Sequence, residues 1–502
     1  MNFSELLRGL GVSHSGGDTQ TSGLDYDSRR IQPGWVFVAM QGDSTNGNRY
    51  IEAALKNGAV AVVSDSEVET QRPGIPWAVV PDGRKALATM SASFYSHPAE
   101  KLKIIGITGT NGKTTTSFLC ESILQYCGYR SALIGTIEYH VAGKVLPAPH
   151  TTPEALELNQ IFAEAVASGG THAVMEVSSH ALAQGRVWEV PYEVAVFTNL
   201  TRDHLDYHQD MESYFAAKSI LFDGCGAPPP KTAVINAEDE YGIKLSHARH
   251  SANERVTLYG LHAGDFRAAN MNLSQDGSTF DLITPAGSKR IQSALIGGIN
   301  VYNTLAAAAA TFACGCSLDH IAEAVSRFKQ VPGRFEKVDC GQPFAVIVDY
   351  AHTDDALRNL TRIAREFVSR GPGAGKVITV FGCGGDRDRT KRSLMGEAAG
   401  EGSDFVVLTS DNPRSEDPTQ IIADSLPGLQ QTNTRYTVEP DRAQAIRLAL
   451  HEAKPGDMVL IAGKGHEKTQ TTREGVFPFD DVQVARQALE QLGHLVLPGG
   501  RK

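Results

Sequence analysis

Short apolar runs alternate with polar, turn-rich segments along the whole chain, and the rhythm of that alternation changes twice. Up to about residue 99 the runs are brief, as in Trp35-Val36-Phe37-Val38-Ala39 and Ala59-Val60-Ala61-Val62-Val63, and no glycine loop of the nucleotide-binding kind accompanies them. This pattern predicts a small N-terminal α/β unit. From Lys103 the order becomes apolar strand, polar loop and amphipathic helix, repeated several times. That order predicts a parallel sheet with crossover helices. A Pro-Gly pair in Val331-Pro332-Gly333-Arg334 interrupts the helical pattern of Leu318 to Phe328 and marks a second boundary. The expected fold is α/β with three domains, 1–99, 100–331 and 332–502, in keeping with a length of 502 residues.

In the third segment the apolar runs Phe344 to Val348, Val377 to Phe381, Phe405 to Leu408 and Met458 to Ile461 each end in a polar cluster. The clusters are Asp349-Tyr350-Ala351-His352, Gly384-Gly385-Asp386-Arg387, Asp411-Asn412-Pro413-Arg414 and Gly463-Lys464-Gly465-His466-Glu467. Any one of them reads equally well as a solvated turn. Four at the carboxyl ends of successive parallel strands would meet at one sheet edge, where open α/β sheets bind ligands.

A phosphate cradle needs a strand, a glycine loop and a helix in that order. Lys103 to Thr108 supplies the strand, Gly109-Thr110-Asn111-Gly112-Lys113-Thr114-Thr115 the loop, and a helix is expected from about Thr116 to Tyr126. Gly109 and Gly112 admit an anion to the backbone N–H groups, the helix start adds positive potential, and Lys113 brings a charge to the β- and γ-phosphates. Thr114 offers a hydroxyl to Mg²⁺. The loop is a shortened variant, because the usual spacing would require glycine where Ile107 stands.

Glu176 follows the strand Ala173-Val174-Met175 and can hold Mg²⁺, a hard cation that prefers oxygen, or can serve as a surface or capping group. A further strand, Glu193 to Phe197, leads into Thr198 to His208, which is dense in His and Asp. With no thiolate nearby and a nucleotide loop in the same half of the chain, magnesium is favoured over zinc. His204 is taken as a metal-site residue, with Asp206 and His208 structural. Spacing alone makes Lys218 an exposed residue on a helical face.

Composition narrows the class. Hydrophobic residues at 41%, charged residues at 21% and a formal net charge of −10 describe an ordinary folded, acidic protein. With a pI near 5.9, nucleic acid is excluded as a partner, since that requires a concentrated basic face. The opening residues carry neither a signal-peptide core nor a spanning segment, so a cytoplasmic location without membrane insertion is expected. The seven cysteines lack zinc-ribbon spacing. They are expected to be reduced and mostly buried, Cys314, Cys316 and Cys383 included.

These motifs resemble the Mur ligase family of peptidoglycan precursor enzymes. The likeness rests on Gly109 to Thr114, Glu176-Val177-Ser178-Ser179-His180, Asp203-His204-Leu205-Asp206, Gly297 to Asn303, Pro332-Gly333-Arg334 and Asp349 to His352, and it runs from about residue 20 to 480. It implies an N-terminal UDP-sugar domain, a central P-loop-type ATPase domain and a C-terminal Rossmann-like domain, working as a monomer in cell-wall synthesis and hence in cell shape and division. Within the family, Asp411-Asn412-Pro413-Arg414 is similar to the segment of members that add meso-2,6-diaminopimelate to the D-glutamyl γ-carboxylate of the UDP-N-acetylmuramoyl dipeptide.

By the same resemblance Tyr26, Ser28 and Asp43-Ser44-Thr45 contact the uridine nucleotide, and Thr151, Thr152, Ser178, Gln184 and Arg186 the muramoyl dipeptide. Asn303, Arg334, Asp349 and His352 surround ATP, Glu176 and His204 serve Mg²⁺, and Lys218 becomes a CO₂-derived carbamate able to hold a second Mg²⁺. Two positions depart from the family pattern: His150 stands before Thr151, and Asp354 replaces a proline.

A carboxylate is a poor electrophile, so the implied reaction proceeds through an acyl phosphate formed from ATP, which an amine then attacks. Diaminopimelate differs from lysine by a distal carboxylate, which the Arg414 guanidinium suits bidentately, with Arg387 assisting. Asp411, Asn412, Pro413, Gly463 and Glu467 complete that site. Rival readings are lysine addition, folate polyglutamylation, and a nucleotide-dependent switch that hydrolyses ATP without an acceptor. Replacing Lys113 with alanine is expected to abolish ATP turnover, measured as ADP release, while the circular dichroism spectrum stays that of the wild type.

Overall fold

The computed structural model describes residues 1–42, 45–66, 72–252, 254–274, 276–369 and 375–494. Its strands form three principal sheets, one in each of the segments distinguished by sequence rhythm. In the first, Gly23–Asp25, Trp35–Ala39, Ala61–Ser64 and Trp77–Val79 run parallel in that spatial order, and His14–Ser15 closes the far edge antiparallel.

The central sheet has eleven strands. Its parallel core is ordered Val256–Gly260, Thr232–Asn236, Val194–Phe197, Lys103–Thr108, His172–Glu176, Ser131–Ile134. Lys103–Thr108 alternates its side chains between two apolar clusters, Ile105 and Ile107 facing one and Ile104 the other, as a sheet covered on both faces requires. One cover contains Lys113–Tyr126 and Gly298–Ala313, and the consecutive alanines 306–310 of the latter are all buried. The sheet is not purely parallel, as the sequence pattern had implied. A hairpin, Glu138–Val141 with Lys144–Pro147, extends one edge, and the meander Phe266–Ser274, Gly277–Thr284, Gly287–Ser293 extends the other.

The third sheet places Ala345–Asp349, Met458–Ala462, Val377–Phe381, Phe405–Leu408 and Arg435–Val438 side by side, all parallel, with Glu336–Lys337 antiparallel at one edge. The four polar clusters therefore do share one edge. Asp354–Val368, Thr390–Gly402 and Pro418–Gln431 cover one face, Arg442–Glu452 and Asp481–Gln491 the other. Between the last two helices Arg442 and Asp481 form a fully buried bidentate pair at 2.8 and 2.7 Å, and Arg442 also donates to the Ala462 carbonyl at 3.0 Å. This pins the end of the strand that leads into Gly463.

At the edge of the central sheet, His140 lies between two carboxylates, with Nδ1 2.8 Å from Glu121 Oε2 and Nε2 2.9 Å from Glu138 Oε1. Burial disfavours its charge, but hydrogen bonds and attraction from Glu121 and Glu138 outweigh that and hold its pKa up at about 9. A raised folded-state pKa stabilises the fold fully below the ordinary value of 6.5, and the contribution is lost as pH rises through about 9. Urea unfolding of the wild type across that window should show declining stability, and His140→Gln should flatten the decline.

Candidate functional site

The phosphate loop is held against the neighbouring strand end. Thr110 N donates to the Asn199 carbonyl at 2.8 Å, Asn111 N to Asn199 Oδ1 at 2.9 Å, and Thr198 Oγ1 to the Asn111 carbonyl at 2.7 Å. A Cβ on Gly109, whose φ is +144°, would lie 1.9 Å from Thr198 Oγ1. Glycine is obligatory there. The following helix begins at Lys113, three residues earlier than the sequence pattern predicted, because Gly112 with φ +87° serves as its N-cap. The shift puts Lys113, Thr114 and Thr115 in the first turn, with the unpaired N–H groups of the helix start facing the loop. Lys113 Nζ donates to the carbonyls of Gly109 at 2.8 Å and Thr110 at 2.9 Å.

Glu176 is fully buried, with 0% exposure, and all of its donors are uncharged. Thr114 Oγ1 donates to Oε2 at 3.0 Å, Thr136 N to Oε1 at 2.8 Å and Thr136 Oγ1 to Oε2 at 3.1 Å. Among the described residues no Lys, Arg or His pairs with it. Lys113 attracts Glu176 without pairing with it directly, and the pairing of this buried carboxylate with the Thr114 hydroxyl fits a hard divalent cation. Among the described residues no group of three or more His, Cys, Asp or Glu side chains is arranged to hold a metal ion by itself.

His204 takes a left-handed backbone conformation, φ +53°, with its Nε2 3.4 Å from Asp203 Oδ2. Burial lowers its basicity although Asp203 pulls the other way. Its ring meets His180 edge-on at 4.9 Å. His208 donates or accepts at Ser179 Oγ across 2.8 Å and stacks on Tyr214, the structural role expected of it. Asp206, by contrast, lines the cleft beside His204. Lys218 corrects the exposure expected from spacing. It is 1% exposed, its Nζ lies over the Tyr214 ring and donates to the Gly109 carbonyl at 2.8 Å. Burial, with repulsion from Lys113, pushes its amine well below the ordinary lysine range.

Thr151, Thr152, Ser178 and Arg186 are brought together next to Glu176. Thr151 Oγ1 meets Thr136 Oγ1 at 3.1 Å, Thr152 Oγ1 donates to the Glu176 carbonyl at 2.9 Å, and Ser178 N donates to Thr152 Oγ1 at 3.1 Å. Arg186 donates to the Thr152 carbonyl at 3.1 Å and pairs with Glu154. Gln184 is buried beside them at the end of the helix Ser179–Ala183. The His150 carbonyl accepts from Tyr139 Oη. On the first sheet, Tyr26 Oη donates to Glu157 Oε1 at 3.0 Å, joining the two units, and the Ser28 carbonyl accepts from Asn57. The Thr45 carbonyl accepts from Gly42 N at 2.8 Å, whereas Asp43 and Ser44 lie outside the described residues.

The third unit reaches the loop directly. Arg334 donates to Thr114 Oγ1 at 3.1 Å while its guanidinium lies over the Tyr350 ring. Asn303 stands against Gly112, where a Cβ would come within 2.5 Å of its Oδ1. Asp349 accepts from Phe335 N and Ala351 N, and burial raises its pKa. His352 is exposed, its Nδ1 2.9 Å from the Tyr350 carbonyl.

A cleft of about 440 Å³ opens between the central and third units, lined by Asp203, His204, His352, Arg387, Asp411, Asn412, Arg414, Gly463 and Glu467 together with Lys391 and Arg392. Pro413 completes the Arg414 turn, its carbonyl lying so near Gly385 that a Cβ there would be at 1.9 Å. Arg414 is not committed to a salt bridge. It sits at φ +52°, donates to the Gly385 carbonyl at 2.7 Å, and pairs with no carboxylate among the described residues. Asn412 donates to Glu467 Oε2 at 2.8 Å, and Gly463, with φ +117°, has a backbone conformation that favours glycine.

Several residues of the site escaped the sequence reading. Thr136 follows a strand end next to that of Glu176, and the strand-end rule applied there would have found it. Asp355 accepts from Asn111 Nδ2 and Thr201 Oγ1, both at 3.0 Å, and Lys391 pairs with Asp203. These contacts join distant segments, for which no local signal exists.

The chain matches the Mur ligase family catalytic domain over residues 20–95, the Mur ligase middle domain over 107–311 and the Mur ligase glutamate ligase domain over 333–465. It is 50% identical to the UDP-N-acetylmuramoyl-L-alanyl-D-glutamate–2,6-diaminopimelate ligase of Solibacter usitatus, covering 98% of this chain and 99% of the relative. It is 45% identical to the enzyme of the same name from Geobacillus thermodenitrificans, over 95% and 96%. A solved structure of a ligase of that name superposes with a TM-score of 0.69 at 35% identity, covering 98% of this chain and 99% of the other.

Adding a methyl group at Gly109 should spoil the loop and spare the sheet. Gly109→Ala is expected to remove the thermal protection given by ADP or a non-hydrolysable ATP analogue in a melting assay. Protection equal to the wild type would dissociate the loop from nucleotide binding.

Proposed function

The chain belongs to the Mur ligase family, and on that premise we propose that it is an ATP-dependent ligase joining meso-2,6-diaminopimelate to the D-glutamyl γ-carboxylate of UDP-N-acetylmuramoyl-L-alanyl-D-glutamate, a step of peptidoglycan precursor synthesis. The observation that carries the choice of amine is Arg414, a guanidinium on the cleft wall that forms no salt bridge among the described residues. Full-length relatives bearing that activity in their names support the reading.

In this reading residues 1–99 bind the UDP sugar, 100–331 ATP, and 332–502 the incoming amino acid. Tyr26, Ser28 and Asp43-Ser44-Thr45 receive the uridine nucleotide. Thr151, Thr152, Ser178, Gln184 and Arg186 hold the dipeptide with its γ-carboxylate toward the phosphate loop. Gly109 to Thr115 cradle the triphosphate, and Asn303, Arg334, Asp349 and His352 enclose the rest of the nucleotide. Thr114 and Glu176 would hold Mg²⁺, which supplies neutralising charge at the phosphoryl oxygens. His204 would serve Mg²⁺ together with Glu176, and Lys218, enclosed beside the loop, is a candidate for carbamylation by CO₂, whose carbamate would hold a second Mg²⁺.

The γ-carboxylate displaces ADP from the γ-phosphoryl group, giving an acyl phosphate. Lys113 and the helix start stabilise charge on the transferring phosphoryl group. The amine of diaminopimelate then attacks the acyl carbon, and the tetrahedral intermediate expels inorganic phosphate. Arg414, assisted by Arg387, fixes the distal carboxylate, while Glu467 with Gly463 and Asp411 receives ammonium or amide hydrogens, and Asn412 orients Glu467. Lysine would leave the Arg414 guanidinium unmatched. A cytoplasmic, monomeric enzyme is part of the proposal. Among the described residues no helix is long and apolar enough to cross a membrane.

Purified protein incubated with ATP, Mg²⁺, the muramoyl dipeptide and either diaminopimelate or lysine should yield the tripeptide mass with diaminopimelate only. Arg414→Ala should lower kcat/KM for diaminopimelate by about 100-fold, the loss typical of truncating one partner of a hydrogen-bonded charge pair. Equal coupling of lysine by the wild type would refute the assignment of Arg414.

A further inference from the structure

Lys464 is 0% exposed, yet it lies behind the cleft wall and its ammonium has an unusually exact set of partners. Nζ donates to Asn412 Oδ1 at 3.0 Å and to Glu467 Oε2 at 2.9 Å. Asn412 Nδ2 donates to the same Glu467 oxygen at 2.8 Å, and Thr471 N donates to Asn412 Oδ1 at 2.9 Å. The orientation of the Asn412 amide is thereby fixed, because both donors meet its oxygen and the acceptor meets its nitrogen. Cation, amide and carboxylate form a closed triangle across two parallel strand ends.

We propose that Lys464 is a positioning residue for the amino-acid substrate. It does not line the cleft, whereas Asn412 and Glu467 do. Its enclosed ammonium requires a carboxylate partner, so it pairs with Glu467 and commits Oε2 inward. Oε1, which accepts from no protein donor among the described residues, is left for the substrate ammonium. The same contacts brace the Asp411 to Arg414 turn, which the hairpin Thr469–Thr472 and Gly475–Pro478 clasps from outside. Gln470 Nε2 donates to the Asp411 carbonyl at 2.6 Å and Arg414 N to the Thr471 carbonyl at 3.0 Å. One enclosed cation thus organises both ends of the amino-acid site, the ammonium acceptor and the carboxylate fork.

The inference rests on the cleft being the diaminopimelate site. Its test is a double-mutant cycle of Lys464→Met, Glu467→Gln and the pair, with KM measured separately for diaminopimelate, ATP and the muramoyl dipeptide. Freeing two ordered side chains should raise KM for diaminopimelate about tenfold in Lys464→Met. The other two KM values should stay within about twofold, and the double variant should be no worse than Glu467→Gln alone, as expected when one residue acts through the other. Additive losses, or parallel rises in all three KM values, would overturn the proposal.

Should Lys464→Met fail to fold, Lys464→Gln retains a donor without the charge. A raised KM for diaminopimelate alone is expected there, and an unchanged KM would count against the role of the cation. A wild type that turns over a different amine would refute the functional reading of the cleft instead, leaving a result distinct from failure of the cycle.

Discussion

Two lysine side chains, Lys113 and Lys218, converge on the carbonyl oxygen of Gly109, each at 2.8 Å. Two ammonium groups this close repel one another in a poorly hydrated setting, so both are costly to keep charged unless an anion joins them. The loop resolves that conflict by topology. Its helix start and open backbone N–H groups invite phosphate from one side, while the enclosed Lys218 sits where the neutral amine is favoured. Glu176 states the complementary problem, a buried negative charge served only by hydroxyl and amide donors. Glu176 attracts Lys113, and Thr114 of the first helical turn bonds it directly, so opposite potentials meet at the loop.

The net charge of −10 is therefore a poor guide to what the protein binds. In the proposed reading anions are met by small, enclosed groups of donors, as at Gly109 to Lys113 and around Arg414, rather than by a basic surface. Confinement makes each contact count for more, because field lines that water would screen remain within the cleft.

Much of this was legible in the chain. Strands buried on both faces announce themselves as apolar runs, and polar residues at their carboxyl ends marked the Gly109 loop, Glu176 and all four clusters of the third unit. The limits are equally physical. The helix after the loop was placed late because Lys113, Thr114 and Thr115 are polar, whereas the backbone of Gly112 decides where it starts. Local spacing makes Lys218 look exposed because it cannot register a loop carbonyl 109 residues away in sequence. Lys464, Asp355 and Lys391 depend in the same way on partners from other segments, and the antiparallel extensions of the central sheet carry no pattern that tells an edge from a core.

The joint between the central and third units combines two kinds of contact. Ile296 and Ile299 pack into the apolar cluster of the third unit, whereas the outlying contacts, Arg334 to Thr114, Asn111 and Thr201 to Asp355, and Lys391 to Asp203, are all polar. Single polar bonds contribute little net free energy each, and apolar contacts tolerate rotation better than separation. The arrangement is that of a greased pivot with exchangeable stays. Ile296 and Ile299 fix where the two units meet, while the polar contacts set the width of the opening between them.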